Sequence, residues 1–500
     1  MEGFIMINAN LTRTEESSQR AIIIGGGIGG LLSAKVLSEY YGEVLIIDKD
    51  DFPEKPQNRS GTPQDFQPHR LTPRGSIIMN RLFPGFNDDL LAQGAPPSLN
   101  KTAHLSNPYG SQAMPNSENE ATFSRALLEW VFRERVKGIP NVQIVPKQDV
   151  IGLLSNPEHT IVTGITIRDR EQSRMQKTIE ADLVLEASGR SSKLVTWLQN
   201  LGYTVPKPDS LKVSLGYSTR HYQIPSELSD KWDVIRVDGD PSKNEFTGVF
   251  SIVEGNRAEV LLWGAGGHFP PTDSRDFEQT VAGLADPLIA ELLQELEPLT
   301  SPRAYRINEL HRQHFEQMAQ WPAGLLVIGD ALCNFDPIYG LGMTMVAVEV
   351  DRLEQCLMEQ RTNPSPNFEH KTLKALQNAV EPAWWLNCVS DLQWSGVEYE
   401  GQPLSGIDFA QKYFRVFLEE ATTKHNFEQF LLYWGVNSLL ISPQVMMNEQ
   451  MINAVLADAS QADKQWFSDF LAERGQTLAE YLGQLSSFSE ASFVSFPPEE

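Results

Sequence analysis

Apolar positions along the chain fall into runs with different periods, and the periods change at recognisable breaks. RAIIIGGGIGGLLSAKVLSEYYGEVLIIDKD, residues 20–50, opens with an unbroken β-branched run, drops into glycines, continues as an amphipathic stretch and ends in a second apolar run closed by an acid. That order predicts strand, tight turn, helix, strand. Residues 210–269 alternate instead, in LKVSLGYSTRHYQI, FTGVFSIVEG and RAEVLLWGAGG, with glycine turns between them, which predicts an antiparallel sheet. DFEQTVAGLADPLIAELLQEL then takes on a helical period. The next segment, GLLVIGDALCNFDPIYGLGMTMVAVEVDRLEQCL, reads as a strand over Leu325 to Ile328, a Gly-Asp turn, a proline-containing loop and a long helix. Beyond residue 365, after NPSP, aromatic-rich helical stretches such as AWWLNCVS, YFRVFLEEA and FEQFLLYWGV predict an appended helical domain, most of whose aromatics are core.

The expected organisation is a loose N-terminal tail (1–19), an α/β domain in two pieces (20–205 and 320–362), an antiparallel-sheet domain between them (206–319) and a C-terminal helical domain (363–500). A chain of 500 residues with 41% apolar content can bury a large interior shared by two or three substructures. Its formal charge of −24 argues against nucleic acid and anionic membrane surfaces as partners. Cys333, Cys356 and Cys388 form no C-x-x-C, so neither a disulfide framework nor a zinc knuckle is expected, and a reducing cytoplasm fits. No stretch reads as a secretory leader or a spanning helix. The N-x-S/T matches at Asn10, Asn58 and Asn100 then carry no weight. His311 and His314 form H-x-x-H without a third ligand at a sensible spacing, so no metal site is expected.

The first turn carries chemistry. Gly25, Gly27 and Gly30 stand in G-x-G-x-x-G register, and Asp48 closes the second strand eighteen positions after Gly30. In a βαβ dinucleotide site the first glycine permits the tight turn, the second lets backbone approach a pyrophosphate and the third lets helix pack on strand, while the acid accepts ribose hydroxyls. Ile28 and Gly29 at the helix start and Lys49 beside the acid join the candidate cofactor contacts. The bland alternative is glycines that serve packing alone. GAGGHF at Gly264 is not a second site, because Phe269 replaces the third glycine and no helical pattern follows.

The second Gly-Asp segment resembles the G-D motif of FAD-dependent oxidoreductases with the p-hydroxybenzoate hydroxylase fold. The resemblance implies that Asp330 holds the ribityl chain and that Asp336 to Thr344, with Pro337, Gly340, Gly342 and Met343, walls the isoalloxazine ring. A helix N-terminus there would also favour negative charge on a reduced flavin. NRSGTPQDFQPHRLTPRGSIIMNRLFPGF, residues 58–86, is similar to a segment of a bacterial subgroup of these flavoproteins, with Gly61, Pro63, Gln64, His69, Leu71, Arg74, Gly75 and Leu82 to Gly85 in register. The subgroup's earlier histidine is Gln67 in this chain. In the family an arginine at the Arg125 position lies along the cofactor. ADLVLEASGRSSKLVTWLQNLGY, residues 181–203, resembles a strand-turn of flavoprotein monooxygenases through Asp182, Ala187, Gly189, Arg190 and Ser191, and places Ser188 and Gly189 beside the cofactor. Its turn reads ASGRSS rather than the D-G that related hydroxylases connect to NADPH as well as FAD.

Together these matches imply an α/β fold: a Rossmann-type FAD-binding βαβ domain, an interleaved antiparallel-sheet substrate domain and a C-terminal helical domain. They imply an FAD-dependent monooxygenase that hydroxylates or epoxidises a small, largely apolar or aromatic organic substrate through a flavin C4a-hydroperoxide. O₂ is the co-substrate, NAD(P)H or a partner flavin reductase supplies electrons, a carrier protein is a further candidate partner, and secondary metabolism is the expected setting. GLGMT is similar to segments of squalene and polyether epoxidases, which favours apolar or polyketide-like substrates. No catalytic base stands out, and Tyr339 in the flavin loop is the first residue to mutate, with packing its expected role. Three rivals stay open. A flavin-dependent halogenase shares both FAD motifs, although W-x-W-x-I-P is absent. A reductase of the geranylgeranyl reductase type would consume little oxygen, and a non-enzymatic escort would have lost the cofactor.

Overall fold

The computed structural model describes residues 18–117, 119–171, 175–485, 488 and 493. The tail expected over residues 1–19 falls, except for its last two positions, outside the described residues, as does Asn10. Five parallel strands form the nucleotide-side sheet in the order β18 (Leu325–Val327), β9 (Leu183–Glu186), β1 (Arg20–Ile24), β2 (Glu43–Ile47) and β5 (Val142–Val145). β1 and β2 are buried along nearly their whole length, which is why they read as unbroken apolar runs rather than alternating ones. Helix α1 (Ile28–Leu37) crosses between them and is itself buried at eight positions, so it has no solvent face to mark it as amphipathic.

The second layer is an eight-stranded sheet ordered β15 (Glu297–Pro298), β11 (Leu215–Gln223), β14 (Arg257–Gly264), β13 (Thr247–Val253), β12 (Trp232–Val237), β3 (Thr102–Asn107) and β4 (Gly110–Pro115), with β16 (Arg303–Ile307) also paired to β11. The central hairpins come from the alternating segments read as a sheet. β3 and β4 do not: they lie in the segment expected to belong to the nucleotide domain, yet β3 runs parallel to β12 and extends the substrate-side sheet. Pairing partners of a short hairpin are set by tertiary contact, which a local pattern does not encode. Two three-stranded sheets complete the strands: β17 (Leu310–Arg312), β10 (Asp209–Lys212) and β19 (Glu398–Glu400), and the meander β6 (Gln148–Ser155), β7 (Val162–Asp169), β8 (Gln176–Glu180).

Helices α2 (Pro73–Leu82) and α3 (Arg125–Lys137) flank α1, and the long α4 (Leu341–Thr362) packs against α1, α2 and α5 (Phe368–Asp391). α6 (Ile407–Thr423) and α7 (Phe427–Asn437) follow. These C-terminal helices share one continuous apolar core with the parallel sheet, from Ile22 and Val184 through Leu353 to Trp384, Phe409 and Val436. A separate small core, around Phe250, Phe277 and Ile289, lies behind the eight-stranded sheet. Among the described residues no helix is long and apolar enough to cross a membrane.

Candidate functional site

A cavity of about 1460 Å³ runs between the two layers, from the β1–α1 turn past β9 and β18 to the face of the eight-stranded sheet. Pockets for one small ligand span about 300–1,000 Å³, so this cavity has room for more than one occupant. The sequence-derived residues Gly25, Gly27, Ile28, Gly29, Asp48, Lys49, Arg125, Ser188, Gly189, Asp330, Pro337, Gly340, Gly342 and Met343 all line it, although they come from five separate stretches of chain. Gly30 does not line it. A Cβ on Gly30 would meet the Gly25 carbonyl oxygen at 1.9 Å, so Gly30 serves the close approach of helix to turn.

The turn itself is built on Gly25, at φ +107°, where a Cβ would fall 2.6 Å from the carbonyl oxygen of Ala187 on the neighbouring strand's end. Gly27 caps α1 without a capping side chain, which leaves the first N–H groups of the helix for a ligand. A Cβ at Gly27 would meet nothing closer than the Arg125 and Arg59 guanidiniums, each at 3.8 Å. Two cations therefore flank a helix N-terminus whose backbone is bare. Asp48 ties the turn to β2, since Oδ2 accepts from the Gly26 N–H at 2.6 Å and Oδ1 from the Asp50 N–H at 2.7 Å. A carboxylate has about four acceptor sites, so capacity remains for a hydroxyl.

The two arginines are held by a buried ionic lattice. Arg59 bonds Asp50 at 2.7 Å and Glu129 at 2.6 Å, while Arg125 bonds Asp65 at 2.6 Å and Glu129 at 3.0 Å. Burial alone would push the Glu129 carboxyl up, but Arg125 and Arg59 outweigh it and hold it below its ordinary value. Arg59 was not singled out from the sequence: it precedes the G-x-P-Q segment, and its Glu129 partner lies seventy positions later. Its position beside the matched segment was the one available signal.

At the other end of the cavity the side chain of Asp330 lines the wall from a turn after β18, and burial raises its carboxyl above the ordinary value. Behind it the buried Glu349 of α4 accepts the Gly329 N–H at 2.6 Å, and burial lifts it to about 8. The loop 336–340 is pinned from both layers. Asp336 accepts from the Tyr217 hydroxyl at 2.8 Å and from the Ile338 N–H at 3.0 Å, its own N–H donates to Asn387, and the Tyr339 hydroxyl donates to Asp391 at 2.6 Å. Arg236 of β12 adds a bond to the Ile338 carbonyl at 2.8 Å. Burial raises the carboxyls of Asp336 and Asp391, and the charge of Asp336 raises Asp391 further. Tyr217, Asn387 and Asp391 carried no sequence signal, because they belong to a sheet strand and to a helix read as core.

His69 lines the cavity with Nδ1 against the Gln67 carbonyl at 2.7 Å, and burial followed by Arg125 lowers it to about 4, so it stays neutral near pH 7. Of the H-x-x-H pair, His314 sits between Asp209 at 2.9 Å and Glu316 at 3.0 Å, and His311 lies 3.5 Å from Glu309. Among the described residues no group of three or more metal-ligating side chains converges. The substrate side of the cavity is mainly apolar, with Leu105, Val249 and Leu261 from the sheet facing Leu432, Trp434 and Ile441 from α7 and the segment after it.

Solved structures share this arrangement of layers. The flavin-dependent brominase Bmp2 superposes with a TM-score of 0.59 over 84% of this chain and 94% of its own, at 14% identity. A flavoprotein/dehydrogenase from Cytophaga hutchinsonii gives 0.59 over 85% and 94%, at 15% identity. PqsL of Pseudomonas aeruginosa, a probable FAD-dependent monooxygenase, gives 0.55 over 83% and 99%, at 13% identity. The fold is that of the FAD-dependent monooxygenases and halogenases. In sequence, this flavoprotein-fold chain is 28% identical to protein Rv3254 of Mycobacterium tuberculosis over 415 residues, covering 78% of this chain and 84% of that protein. It is 22% identical to the flavin-dependent halogenase chlA of Dictyostelium discoideum over 408 residues, or 73% of this chain and 64% of that protein. No family model matches the chain.

The residues present fit an FAD. A bare helix N-terminus beside two arginines offers donors of the kind a pyrophosphate needs, Asp48 keeps acceptor capacity of the kind a ribose needs, and the start of α4 lies at the far wall. The spare volume beyond that wall lies against the sheet.

Proposed function

We propose that the chain is an FAD-dependent oxidoreductase acting on a small, mainly apolar organic molecule, and that its reaction is oxygen insertion by hydroxylation or epoxidation. The observation that carries the proposal is the single cavity wall shared by the Gly27 turn, the Asp330 turn and the apolar face of the sheet. Bound FAD would supply electron transfer and oxygen activation. The chain's own part is binding and positioning. Arg59, Arg125 and the α1 N-terminus hold the pyrophosphate, Asp48 takes the ribose, and Asp330 takes the ribityl hydroxyls. Pro337, Tyr339, Gly340, Gly342 and Met343, which line the same stretch of the cavity, would hold the ring, and the N-terminus of α4 would favour negative charge there. The apolar side chains of the sheet, with Leu432 and Trp434 of α7, exclude water from the reacting atoms.

A second reading, halogenation, is favoured by the likeness to chlA and Bmp2. Against it stands the absence of the W-x-W-x-I-P signature from the sequence. The test is anaerobic reduction of FAD-loaded protein with NADH and with NADPH, then mixing with oxygenated buffer in the presence and absence of chloride or bromide. Substrate-stimulated oxygen uptake with an oxygenated product supports insertion, and a halogenated product selects the second reading. Reduction with slow, substrate-independent reoxidation would move the chain to the reductases. A chain that takes up no flavin removes the proposal.

A further inference from the structure

The lining residues of the cavity that face solvent differ in character between its two ends. On the nucleotide side its exposed lining residues are polar or charged, among them Lys49, Ser60, Arg190 and Lys193. On the substrate side three apolar residues line the cavity and also face solvent, beside the exposed charges of Arg70 and Glu428: Leu431 of α7 is 45% exposed, Leu440 37%, and Pro73 at the start of α2 is exposed as well. The apolar surface does not stop at the rim. Phe427, one turn before Leu431 on α7, is 46% exposed, and Ile77, one turn after Pro73 on α2, is 40% exposed. The charged lining residues near this rim are Arg70, which is paired with the buried Asp233, and Glu428. α2 and the α7 end are locked together there, since Thr72 donates to the Ser438 carbonyl at 3.1 Å and Arg74 to the Leu439 carbonyl at 3.2 Å.

A substrate swallowed whole would gain nothing from large apolar side chains left in water at the mouth, whereas a contiguous apolar exposure is the mark of a binding surface. From this continuity of cavity wall and outer surface, we infer that the substrate is an elongated, uncharged apolar molecule, whose reacting end lies against the sheet and whose tail leaves the cavity over Leu431 and Leu440 to rest along Phe427 and Ile77. The chain's charge of −24 disfavours an acidic carrier or an anionic membrane as the occupant of that surface, so the tail belongs to a free molecule. This inference rests on the reading that FAD fills the nucleotide side of the same cavity.

The experiment uses full-length, FAD-loaded protein and n-alkan-1-ols from hexanol to tetradecanol as probes, with calorimetry for affinity and flavin absorbance to record FAD retention. Affinity is expected to rise by up to about fourfold per added methylene through the longest members. Leu431→Glu and Leu440→Glu should each remove the gain of the longest alcohols, leave hexanol binding and FAD retention unchanged, and leave the fold intact by circular dichroism. Should a variant fail to fold, Leu431→Gln and Leu440→Gln serve the same purpose. A series that levels off at the short members, or long alcohols bound equally well by the mouth variants, overturns the inference. So does tighter binding of dodecyl phosphate than of dodecanol, or a concentration-dependent dimer that Leu431→Glu abolishes, which would give the surface to a second copy. Phe493 stacks under Arg74 close to this mouth, at 5.5 Å, so a chain lacking residues 494–500 is the last control. If long alcohols gain affinity only after that deletion, the occupant is the chain's own terminus and the inference fails. A chain that takes up no FAD defeats the flavin reading and the inference with it, whereas FAD retained with a flat alcohol series defeats the inference alone.

Discussion

Gly27 and Gly30 stand three positions apart in one motif, and the structure assigns them opposite jobs that substitution can separate. In Gly30→Ala the new methyl would fall 1.9 Å from the Gly25 carbonyl oxygen, over 1 Å inside an ordinary carbon–oxygen contact of about 3.3 Å. Both atoms are tied to backbone, so the helix must move off the turn. The cost belongs at or above the top of the usual range for overpacking, about 3 kcal/mol. In Gly27→Ala the methyl finds its nearest neighbours at 3.8 Å, and the residue's φ of −78° and ψ of −172° suit alanine. Losing glycine at the N-cap costs roughly 1 kcal/mol, and the reduced freedom of the unfolded chain returns about 0.4–1 kcal/mol. Net stability should therefore stay within about 0.5 kcal/mol of the original. The methyl instead occupies the approach to the α1 N–H groups, and FAD affinity should fall at least tenfold, or about 1.4 kcal/mol. Urea unfolding of the flavin-free chain and titration with FAD, followed by quenching of flavin fluorescence, measure the two quantities separately. Wild-type FAD affinity in Gly27→Ala would show that no pyrophosphate lies over that turn, and an undiminished urea midpoint in Gly30→Ala would refute the packing argument.

Other substitutions test the lattice and the loop. Arg59→Met leaves the buried Asp50 and Glu129 short of a cation and should cost about 3–5 kcal/mol in urea unfolding, with FAD affinity reduced in whatever folded protein remains. Glu349 is lifted to about 8 from an ordinary 4.5, so the folded chain holds a proton that the unfolded chain releases, and stability from this group falls as pH rises between those values. Glu349→Gln keeps an acceptor for the Gly329 N–H and should become more stable relative to wild type by up to roughly 5 kcal/mol between pH 4.5 and 8; a difference that does not grow with pH would refute the assignment. Tyr339→Phe removes the bond to the buried Asp391 and should cost about 1–3 kcal/mol while FAD is retained, as expected of a packing residue.

The residues that touch backbone-defined features were legible in the sequence, and those defined by tertiary partners were not. Gly25 and Gly27 could be read because a turn and a bare helix start demand glycine at fixed spacing, and Asp48 because it closes a strand of known length. Asp330 and the loop from Pro337 to Met343 were placed by resemblance of the whole segment, and they line the same cavity. Arg59 escaped because its role depends on Glu129 and Gly27, which are far away in sequence. β3 and β4 escaped because a short hairpin does not declare which sheet it joins. The helices after residue 363 were read as an appendage, yet Asn387 and Asp391 of α5 hold the loop at 336–340 and α7 walls the cavity. Periodicity reveals that a helix has a buried face and says nothing about what that face is buried against.

The charge layout of the cavity explains why so many acids can crowd one end of it. Toward the α1 turn, Arg59 and Arg125 are countered by Asp50, Asp65 and Glu129, of which Asp50 and Glu129 are held below their ordinary values, so the pair is fixed in place and still presents its outer nitrogens beside Gly27. Toward α4 the acids are of the other kind. Asp336, Asp391 and Glu349 are buried without a cationic partner in contact, and each is pushed toward its neutral form. Three ionised carboxylates there would cancel the positive end of the α4 dipole and repel any negative charge placed beside it. Asp391 and Glu349, as neutral acids, do neither, and all three groups still make fixed bonds, through Tyr217, Tyr339, Asn387 and the Gly329 N–H. The same desolvation that makes these groups costly when ionised therefore leaves one end of the cavity able to take a pyrophosphate and the other able to accept electron density, and a ligand that is a dinucleotide with a reducible ring has that polarity.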